Sequence, residues 1–450
     1  MTINMNTLVR FAPSPTGYLH PGNARVALQN YLFSYQREGH FLLRMDDTDT
    51  QRSKQEFVEG IIEDLTWLGI TPSRIIYQSQ RLHLYSKAQQ TLQEKGLLYP
   101  CYETPEELEE ERRLLRKIGK PPIYSRKSYH LSENERKEKE AQGIRPHWRF
   151  LLPDKTIEWQ DLCKGKRSIH LHNASDPILM RADGSLTFLL ASVVDDIAEN
   201  VTHIIRGEDH IPNTAIHIAL EQALTDRKET SFIFAHTTLL HAQQGSVLSK
   251  SEGSCSLKVL RNQGILPFSL GHYILSLGAS ATLPIGTNIT DLKDSFSLEK
   301  YSHSSPLFDL HQLTIANKRA LHNTPYDALP TSYQRHCSPE LWKCISANTS
   351  SLDDLLNFTK ALTTPQASQL DTSDKDFIST IIALLEKEKT SDWEAFWQNV
   401  QNVSNRKGKK LFLPIRLALT GLSYGPEIPK CSAYLGHEKT LNLLKRAVQQ

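Results

Sequence analysis

Residues 8–23, LVRFAPSPTGYLHPGN, constrain the fold of this chain more than any other stretch. The first four residues are mostly apolar and favour a strand, and two prolines with a glycine then force a turn. From His20 onward, apolar residues recur three and four positions apart as far as Gly39, which predicts a helix. A strand, a turn and a helix form the first unit of a nucleotide-binding α/β domain, because the helix N-terminus favours phosphate.

The turn lacks the glycine pattern of a dinucleotide site. There is no G-x-G-x-x-G, so hydride transfer has little support, and a His and an Asn instead flank Pro-Gly in HPGN. An isolated His in a turn is usually structural. The whole stretch, however, resembles the His-Ile-Gly-His signature of class I aminoacyl-tRNA synthetases, and RFAPSPTGYLH resembles glutamyl-tRNA synthetases in particular. The resemblance implies that His20 and Asn23 are catalytic and contact ATP phosphates, and that Gly22 leaves room for adenosine.

Two charged clusters follow predicted strands. FLLRM (41–45) is typical of a buried parallel strand and leads into DDTD, and VTHII leads into Arg206 and the acids after it. Because the carboxyl ends of parallel strands meet at one edge of a sheet, we expect both clusters to lie at the ligand site. Burial of Arg206 would also require a carboxylate partner.

The segment SVLSKSEGS (246–254) resembles the mobile lysine loop of class I synthetases. Val247 replaces the first lysine of that motif, whereas Lys250 matches the second. The resemblance implies that Ser249 and Lys250 bind ATP, as does Glu208, and that Lys250 is catalytic because it supplies positive charge as pyrophosphate leaves.

The same resemblance implies an amino-acid site for L-glutamate. Two arginines suit a substrate with two carboxylates, and Asp46 suits its ammonium group. We predict that Arg10 is the main ligand of the side-chain carboxylate; the alternative is that Arg10 braces the sheet against an acid such as Asp49. The pocket differs from that of many relatives at two positions: Phe188 stands where they have Tyr, and Ser192 stands where they have Asn. The expected glutamate-binding residues are Arg10, Ala12, Ser14, Asp46, Phe188, Ser192 and Arg206.

The fold class implied by the resemblance is α/β, with a Rossmann-like domain split by an insertion and followed by a mostly α-helical tRNA-binding half. We expect a catalytic domain (1–78 and 186–238), an inserted tRNA acceptor-binding domain (79–185), a stem-contact domain with the lysine loop (239–321) and a helical anticodon-binding region (322–450).

Two helix starts carry the spacing of a capping box, in which a short polar residue precedes Glu by three positions. Ser53 and Glu56 have this spacing, and so do Thr104 and Glu107. We expect a helix to begin at each pair.

Some relatives hold zinc in the insertion with Cys-x-Cys followed by Cys-x-His. Here Cys101 and His130 remain, while Glu103 and Ser128 stand where the second and third cysteines would be. Because a structural zinc site needs four ligands, we predict no zinc and no other resident metal.

Composition adds limits. The 450 residues carry a net charge of +2, but residues 401–450 hold nine basic and two acidic side chains. That end suits a solvated helical face and a phosphate-contacting surface equally. Six cysteines without a C-x-x-C pair suit a reducing compartment, and no apolar run reaches transmembrane length. We therefore expect a cytoplasmic monomer without a membrane partner.

The expected reaction joins glutamate to the 3′ end of tRNA(Glu) through glutamyl-adenylate, with ATP and Mg²⁺; tRNA(Gln) stays open as a second substrate. One alternative is the short relative that glutamylates a queuosine base of tRNA(Asp), although about 200 residues follow the lysine loop here. The other is an inactive paralogue that binds RNA, which would lack His20 and Lys250.

Overall fold

The computed structural model describes residues 7–242, 255–284, 288–365, 370–387, 389–404 and 406–449. The chain forms two compact units. The first unit comprises Met1–Lys258 and Gly271–Phe308, and the second comprises Val259–Leu270 and Asp309–Gln450.

A seven-stranded sheet organises the first unit. Its strand order is β3-β2-β1-β9-β10-β6-β7, and every pair is parallel except the antiparallel pair β6–β7 at one edge. A smaller antiparallel sheet has the order β4-β5-β8, and β11 pairs with β12. The strands are β1 (Leu8–Phe11), β2 (His40–Met45), β3 (Arg74–Tyr77), β4 (Leu98–Cys101), β5 (His147–Phe150), β6 (Thr156–Asp161), β7 (Gly165–His170), β8 (Ile178–Met180), β9 (His203–Gly207), β10 (Ile233–Thr237), β11 (His241–Ala242) and β12 (Leu307–Phe308).

Helices cover the large sheet, and α8 and α9 each cross a boundary between the two units. Apolar side chains from α3, α6, α7 and the central strands form the main core of the first unit. The helices before the second unit's long segment are α1 (Pro21–Tyr35), α2 (Gln55–Trp67), α3 (Leu82–Glu94), α4 (Pro105–Lys117), α5 (Glu133–Ala141), α6 (Phe188–Ala198), α7 (Ile211–Thr225), α8 (Leu257–Asn262) and α9 (Pro267–Ser276).

The sheet brings the two predicted charged clusters together. Val9 on β1 lies opposite Phe41 on β2 and His203 on β9, so the carboxyl ends of these strands share one edge. This parallel sheet with helices, followed by a helical half, confirms the predicted fold class. Strands β6 and β7 lie in the range predicted as the insertion, yet β6 pairs with β10 in the large sheet.

Helical segments make up the second unit in the part of the chain that the structure describes. Its core contains Trp342, Trp393 and Trp397, and Leu266 from the short first segment packs in the same cluster. None of the described helices is long and apolar enough to cross a membrane. The helices are α10 (Leu310–Asn323), α11 (Thr331–Gln334), α12 (Pro339–Ile345), α13 (Leu352–Thr363), α14 (Thr372–Lys387), α15 (Trp393–Ser404), α16 (Lys409–Thr420), α17 (Ile428–Leu435) and α18 (His437–Gln449).

Candidate active site

The HPGN motif forms the start of α1. His20 is the N-cap: its Nδ1 accepts the Gly22 N–H at 3.1 Å, and the Asn23 side chain accepts the His20 N–H at 3.3 Å. A Cβ built on Gly22 would lie 2.9 Å from Cε1 of the His20 ring. The glycine is therefore required by the cap itself, and the cap holds His20 and Asn23 at the positive end of the helix.

A cavity of about 230 Å³ opens beside this helix start. Its walls come from the turn after β1, the first turn of α1, and the ends of β9 and β10. Sequence-predicted residues on these walls are Arg10, Ala12, His20, Gly22, Asn23, Phe188 and Arg206. Most of the predicted ATP and glutamate residues in the described ranges therefore share one cavity. Asp209, from the charged cluster after Arg206, also lines it, and so does Arg25, which the sequence had not indicated.

Arg10 is 3% exposed, and its surroundings fit both roles considered from the sequence, a ligand of the substrate and a brace against an acid. It lines the cavity, and its Nε donates to Asp196 at 3.2 Å. The bracing acid is thus Asp196 on α6, and Asp49 instead pairs with Arg52. Burial lowers the pKa of Arg10, although the Asp196 charge opposes this effect.

Arg44, on β2, is the centre of a buried ion network. Its guanidinium donates to Asp46 at 2.7 Å, to Asp196 at 2.8 Å and to the Ser192 hydroxyl at 2.9 Å. Burial alone would lower the pKa of Arg44, but the surrounding carboxylates raise it. The network therefore fixes the positions of Asp46 and Asp196 behind the cavity wall.

Asp46 belongs to a second, more polar cavity of about 370 Å³, which also includes Ser14. Phe188 is 40% exposed and lines both cavities, so the two adjoin at its ring. Burial raises the pKa of Asp46 to about 6, against the opposing charge of Arg44. The predicted glutamate residues are thus divided between two neighbouring cavities.

Arg206 is the penultimate residue of β9 and is 6% exposed. The sequence predicted a carboxylate partner, and this expectation is wrong within the described residues, where no carboxylate lies within 4.0 Å of its guanidinium. Its Nε donates to His236 at 3.2 Å and its Nη2 donates to Thr214 at 2.9 Å. Burial, together with the like charge of Arg10, lowers the pKa of Arg206 to about 9.

Two predicted residues lie away from both cavities. Ser192 is fully buried, and its hydroxyl accepts from Arg44, so it supports the site from behind. Glu208 pairs with Lys164 at 2.5 Å and accepts from the Ser305 hydroxyl. Ser249 and Lys250, with the rest of the lysine loop, lie outside the described residues.

Sequence reasoning missed Arg44, Asp161, Asp196 and His236. One signal was available for Asp196, because the pair Asp195-Asp196 interrupts an otherwise apolar helical run. Two adjacent charges on the buried part of a helix require cationic partners. Asp195 meets Arg81 and Tyr85 at 2.7 and 2.8 Å, so each acid has its own set of donors.

The insertion contains one group of potential metal ligands. Atoms of Cys101, Glu103 and His147 all lie within 4.8 Å of one another. His130, which the sequence had placed with Cys101, is exposed, and His147 takes its place. Glu103 accepts from the hydroxyls of Ser128 at 2.6 Å and Tyr124 at 3.0 Å.

Comparison with known proteins covers nearly the whole chain. Residues 6–315 match the family described as tRNA synthetases class I (E and Q), catalytic domain, and residues 347–448 match an anticodon binding domain. The chain is 38% identical to glutamate–tRNA ligase 1 of Brucella ovis and 39% identical to that of Brucella abortus (strain S19), covering 97% of this chain and 99% of each relative.

Solved structures agree in fold. The glutamate-tRNA synthetase of Elizabethkingia anophelis has a TM-score of 0.82 at 25% identity, with 99% of this chain and 100% of that chain covered. A glutamate tRNA ligase from Elizabethkingia meningosepticum, in complex with its amino acid, has a TM-score of 0.83 at 24% identity over the same shares. The likeness thus extends through the helical half as well as the sheet.

Proposed function

The chain belongs to the class I tRNA synthetases of the glutamate and glutamine group, and we propose how its side chains perform the glutamate–tRNA ligase reaction. The enzyme activates glutamate with ATP, forms glutamyl-adenylate and transfers the glutamyl group to tRNA. The anticodon-binding match over 347–448 fits this activity, whereas the short queuosine-modifying relative lacks such a half.

The observation that carries the residue assignment is the pair of buried guanidinium groups on one cavity wall. Arg10 and Arg206 both line the cavity beside the start of α1, and Arg206 has no carboxylate within 4.0 Å in the described ranges. Two cations suit the two carboxylates of glutamate. We assign Arg10 to the side-chain carboxylate, and Asp46, across the Phe188 ring, to the ammonium group.

In the first step, a carboxylate oxygen of glutamate attacks the α-phosphorus of ATP and pyrophosphate leaves. His20, Asn23 and the backbone N–H groups of α1 bind phosphate oxygens, so the helix start stabilises the charge that develops there. Asp209, the exposed carboxylate on this cavity wall, would hold a Mg²⁺ that arrives with the nucleotide, and such an ion would supply positive charge to the phosphates. Lys250 and Ser249 complete the phosphate site, and the family resemblance also assigns Glu208 to nucleotide binding.

In the second step, a hydroxyl of the terminal ribose attacks the glutamyl carbonyl and AMP leaves. We assign residues 79–185 to the tRNA acceptor end, 239–321 to the stem and 322–450 to the anticodon. The expected substrate is tRNA(Glu), with tRNA(Gln) open as a second one. Cytoplasmic location and the monomeric state also stay predictions.

Charging assays with each purified tRNA test this assignment. With tRNA(Glu), we expect incorporation of glutamate and release of AMP and pyrophosphate in equal amounts, with glutamine and aspartate at least about 10³-fold less efficient. Charging of tRNA(Gln) at a similar rate would make the enzyme one that accepts both tRNAs. Absence of adenylate formation with either tRNA would contradict the assignment.

A further inference from the structure

Arg206 is held in place by neutral acceptors. Its Nε lies 3.2 Å from Nε2 of His236, and its Nη2 lies 2.9 Å from Oγ1 of Thr214, with no carboxylate within 4.0 Å among the residues described. His236 lies directly opposite Arg206 in the register of β9 and β10. A guanidinium has only donors, so the facing nitrogen of His236 must be unprotonated.

The protonation of His236 is set by a second buried contact. Its Nδ1 lies 2.5 Å from Oδ2 of Asp161, at the end of β6. The other oxygen of Asp161 accepts the backbone N–H groups of Cys163, Lys164 and His236 at 3.0, 3.0 and 3.2 Å. A carboxylate fixed in this way accepts the Nδ1–H and leaves Nε2 as an acceptor.

The chain Asp161–His236–Arg206 runs from a buried strand end to the cavity wall. Asp161 is 1% exposed and His236 is fully buried, so water does not compete for either contact. Although burial alone would raise it, the hydrogen bond from His236 lowers the pKa of Asp161. Burial lowers the pKa of His236, which favours the neutral ring.

We propose that Asp161 and His236 are positioning residues that aim the Arg206 guanidinium at a carboxylate of the amino-acid substrate. This inference rests on the proposed role of Arg206 in glutamate binding. A neutral acceptor orients the guanidinium without neutralising it, whereas a protein carboxylate in the same place would compete with the substrate. The arrangement therefore combines a fixed direction with an undiminished charge.

Two amide variants of His236 separate the acceptor role from packing. A Gln side chain places its oxygen near the position of Nε2, whereas an Asn side chain reaches only the position of Nδ1. We expect His236→Asn to raise KM for glutamate about 10- to 100-fold, the size of one lost charge-assisted hydrogen bond. His236→Gln should recover most of that loss, and KM for ATP should change less than about 3-fold in both.

Asp161→Asn tests the second contact. Its oxygen can keep the three backbone N–H groups, while its amide NH₂ faces Nδ1 and favours the proton on Nε2, opposite a donor of Arg206. Nitrogen-15 NMR of histidine-labelled protein, with the signal assigned through His236→Asn, should show Nδ1–H in the wild type and the other tautomer in this variant. We expect KM for glutamate to rise together with that change.

Equal KM values for glutamate in both His236 variants, close to the wild type, would overturn the inference. An Nε2–H tautomer in the wild-type protein would overturn it even if every variant failed to fold. Arg206→Gln provides the separate control on the proposed function: an unchanged KM for glutamate there removes Arg206 from the substrate site. If Arg206→Gln raises KM for glutamate while neither His236 variant changes it, the proposed role of Arg206 in the substrate site is retained and only the positioning role of His236 and Asp161 is rejected.

Discussion

Asp196 is shared by two guanidinium groups, and this sharing determines what an arginine substitution does in this site. It accepts from Arg10 at 3.2 Å and from Arg44 at 2.8 Å, and all three side chains are buried. Although burial alone would raise it, the two arginines lower the pKa of Asp196. Loss of Arg10 still leaves Asp196 paired with Arg44, so the acid does not become an uncompensated buried charge.

The first prediction concerns Arg10→Gln. Glutamate should lose kcat/KM by about 10³-fold, because the buried carboxylate of the substrate loses its bidentate partner, and glutamine should gain in relative terms. Kinetics with both amino acids measure this change. Arg10→Lys keeps the charge without the planar pair of donors, so its kcat/KM for glutamate should lie between those of the wild type and Arg10→Gln.

A melting curve of each variant provides the control. If Arg10 only braced the sheet against Asp196, Arg10→Gln would lower the melting temperature and leave the preference for glutamate unaltered. That combination would contradict the assignment of the side-chain carboxylate to Arg10.

The second prediction concerns pH. The pKa of Asp46 is raised from 3.8 to about 6, so the folded protein favours the protonated carboxyl. The stability from this group is fully present below about pH 4 and is lost as pH rises through about 6. Substrate binding needs the charged form, so KM for glutamate should rise as pH falls through about 6.

Steady-state kinetics between pH 5 and pH 8 would show the acidic limb of the KM profile, which is the rise in KM for glutamate as pH falls. In Asp46→Asn the limb should disappear and KM should be high throughout. Asp47→Asn is the matched control. Asp47 is the next residue in the chain, and its carboxylate accepts from Ser79 rather than from Arg44. A limb that persists in Asp46→Asn would assign the titration to another group.

Much of the site was predictable residue by residue, and the failures share one cause. Side chains near the end of a strand or at the start of a helix, such as Arg206 and His20, have positions fixed by local sequence. The partners of buried charges come from distant segments: Asp196 lies 186 positions from Arg10. One sequence contains no signal of which acid meets which base, so both the Asp196 pair and the neutral partners of Arg206 stayed unpredicted.

At the scale of elements, one of the two helix starts predicted from local sequence is confirmed and the other is wrong. Thr104 and Glu107 form the predicted capping box at the start of α4. The box predicted from Ser53 and Glu56 is wrong: α2 begins after Lys54, whose side chain makes no cap hydrogen bond. Ser53 lies four positions after Asp49, the last residue of DDTD, and its backbone N–H donates to the Asp49 carbonyl, so the local geometry differs from that of an isolated helix start.

The third prediction is that the insertion binds no zinc. Burial raises the pKa of the Cys101 thiol to about 12, which disfavours the thiolate that zinc requires. Glu103 is held by two hydroxyls, and Nε2 of His147 accepts the Arg149 N–H at 3.3 Å. Each of these three side chains therefore has a hydrogen-bond partner outside the group, and for Cys101 this is the Tyr124 hydroxyl.

Metal analysis of protein purified without chelators should give much less than one zinc per chain. Cys101→Ser should keep the melting temperature within a few degrees, because the hydroxyl replaces the thiol in a buried but metal-independent group. One tightly bound zinc per chain, lost in Cys101→Ser together with stability, would show that the three side chains do hold a metal.

Each unit has a hydrophobic core of its own, so the position of a truncation determines which core residues become exposed. Leu266 and Leu321 belong to the core of the second unit, and both precede residue 322. Deletion of 322–450 would expose this part of the core, whereas deletion of 309–450 removes all of the unit's long segment. Within the second unit, the retained segment Val259–Leu270 then has no partner.

The fourth prediction is that both truncated proteins lose at least about 10²-fold in kcat/KM for tRNA(Glu), because the recognition surface of the helical half is removed. Both truncated proteins should aggregate more during refolding than the full-length protein, because apolar core residues of the second unit, such as Leu266, are exposed in each. Light scattering and charging assays measure the two effects. Unchanged charging of tRNA by either protein would give the helical half another role.

The broken chain path of the second unit has a consequence for synthesis on the ribosome. Val259–Leu270 is made first, and 38 residues of the other unit follow before Asp309 begins the remainder. At about 5–20 residues per second, the early segment waits roughly 2–8 s before its first partners exist. During that interval Leu266 has no core to join, so this short stretch is a natural target for chaperones that bind apolar segments of nascent chains.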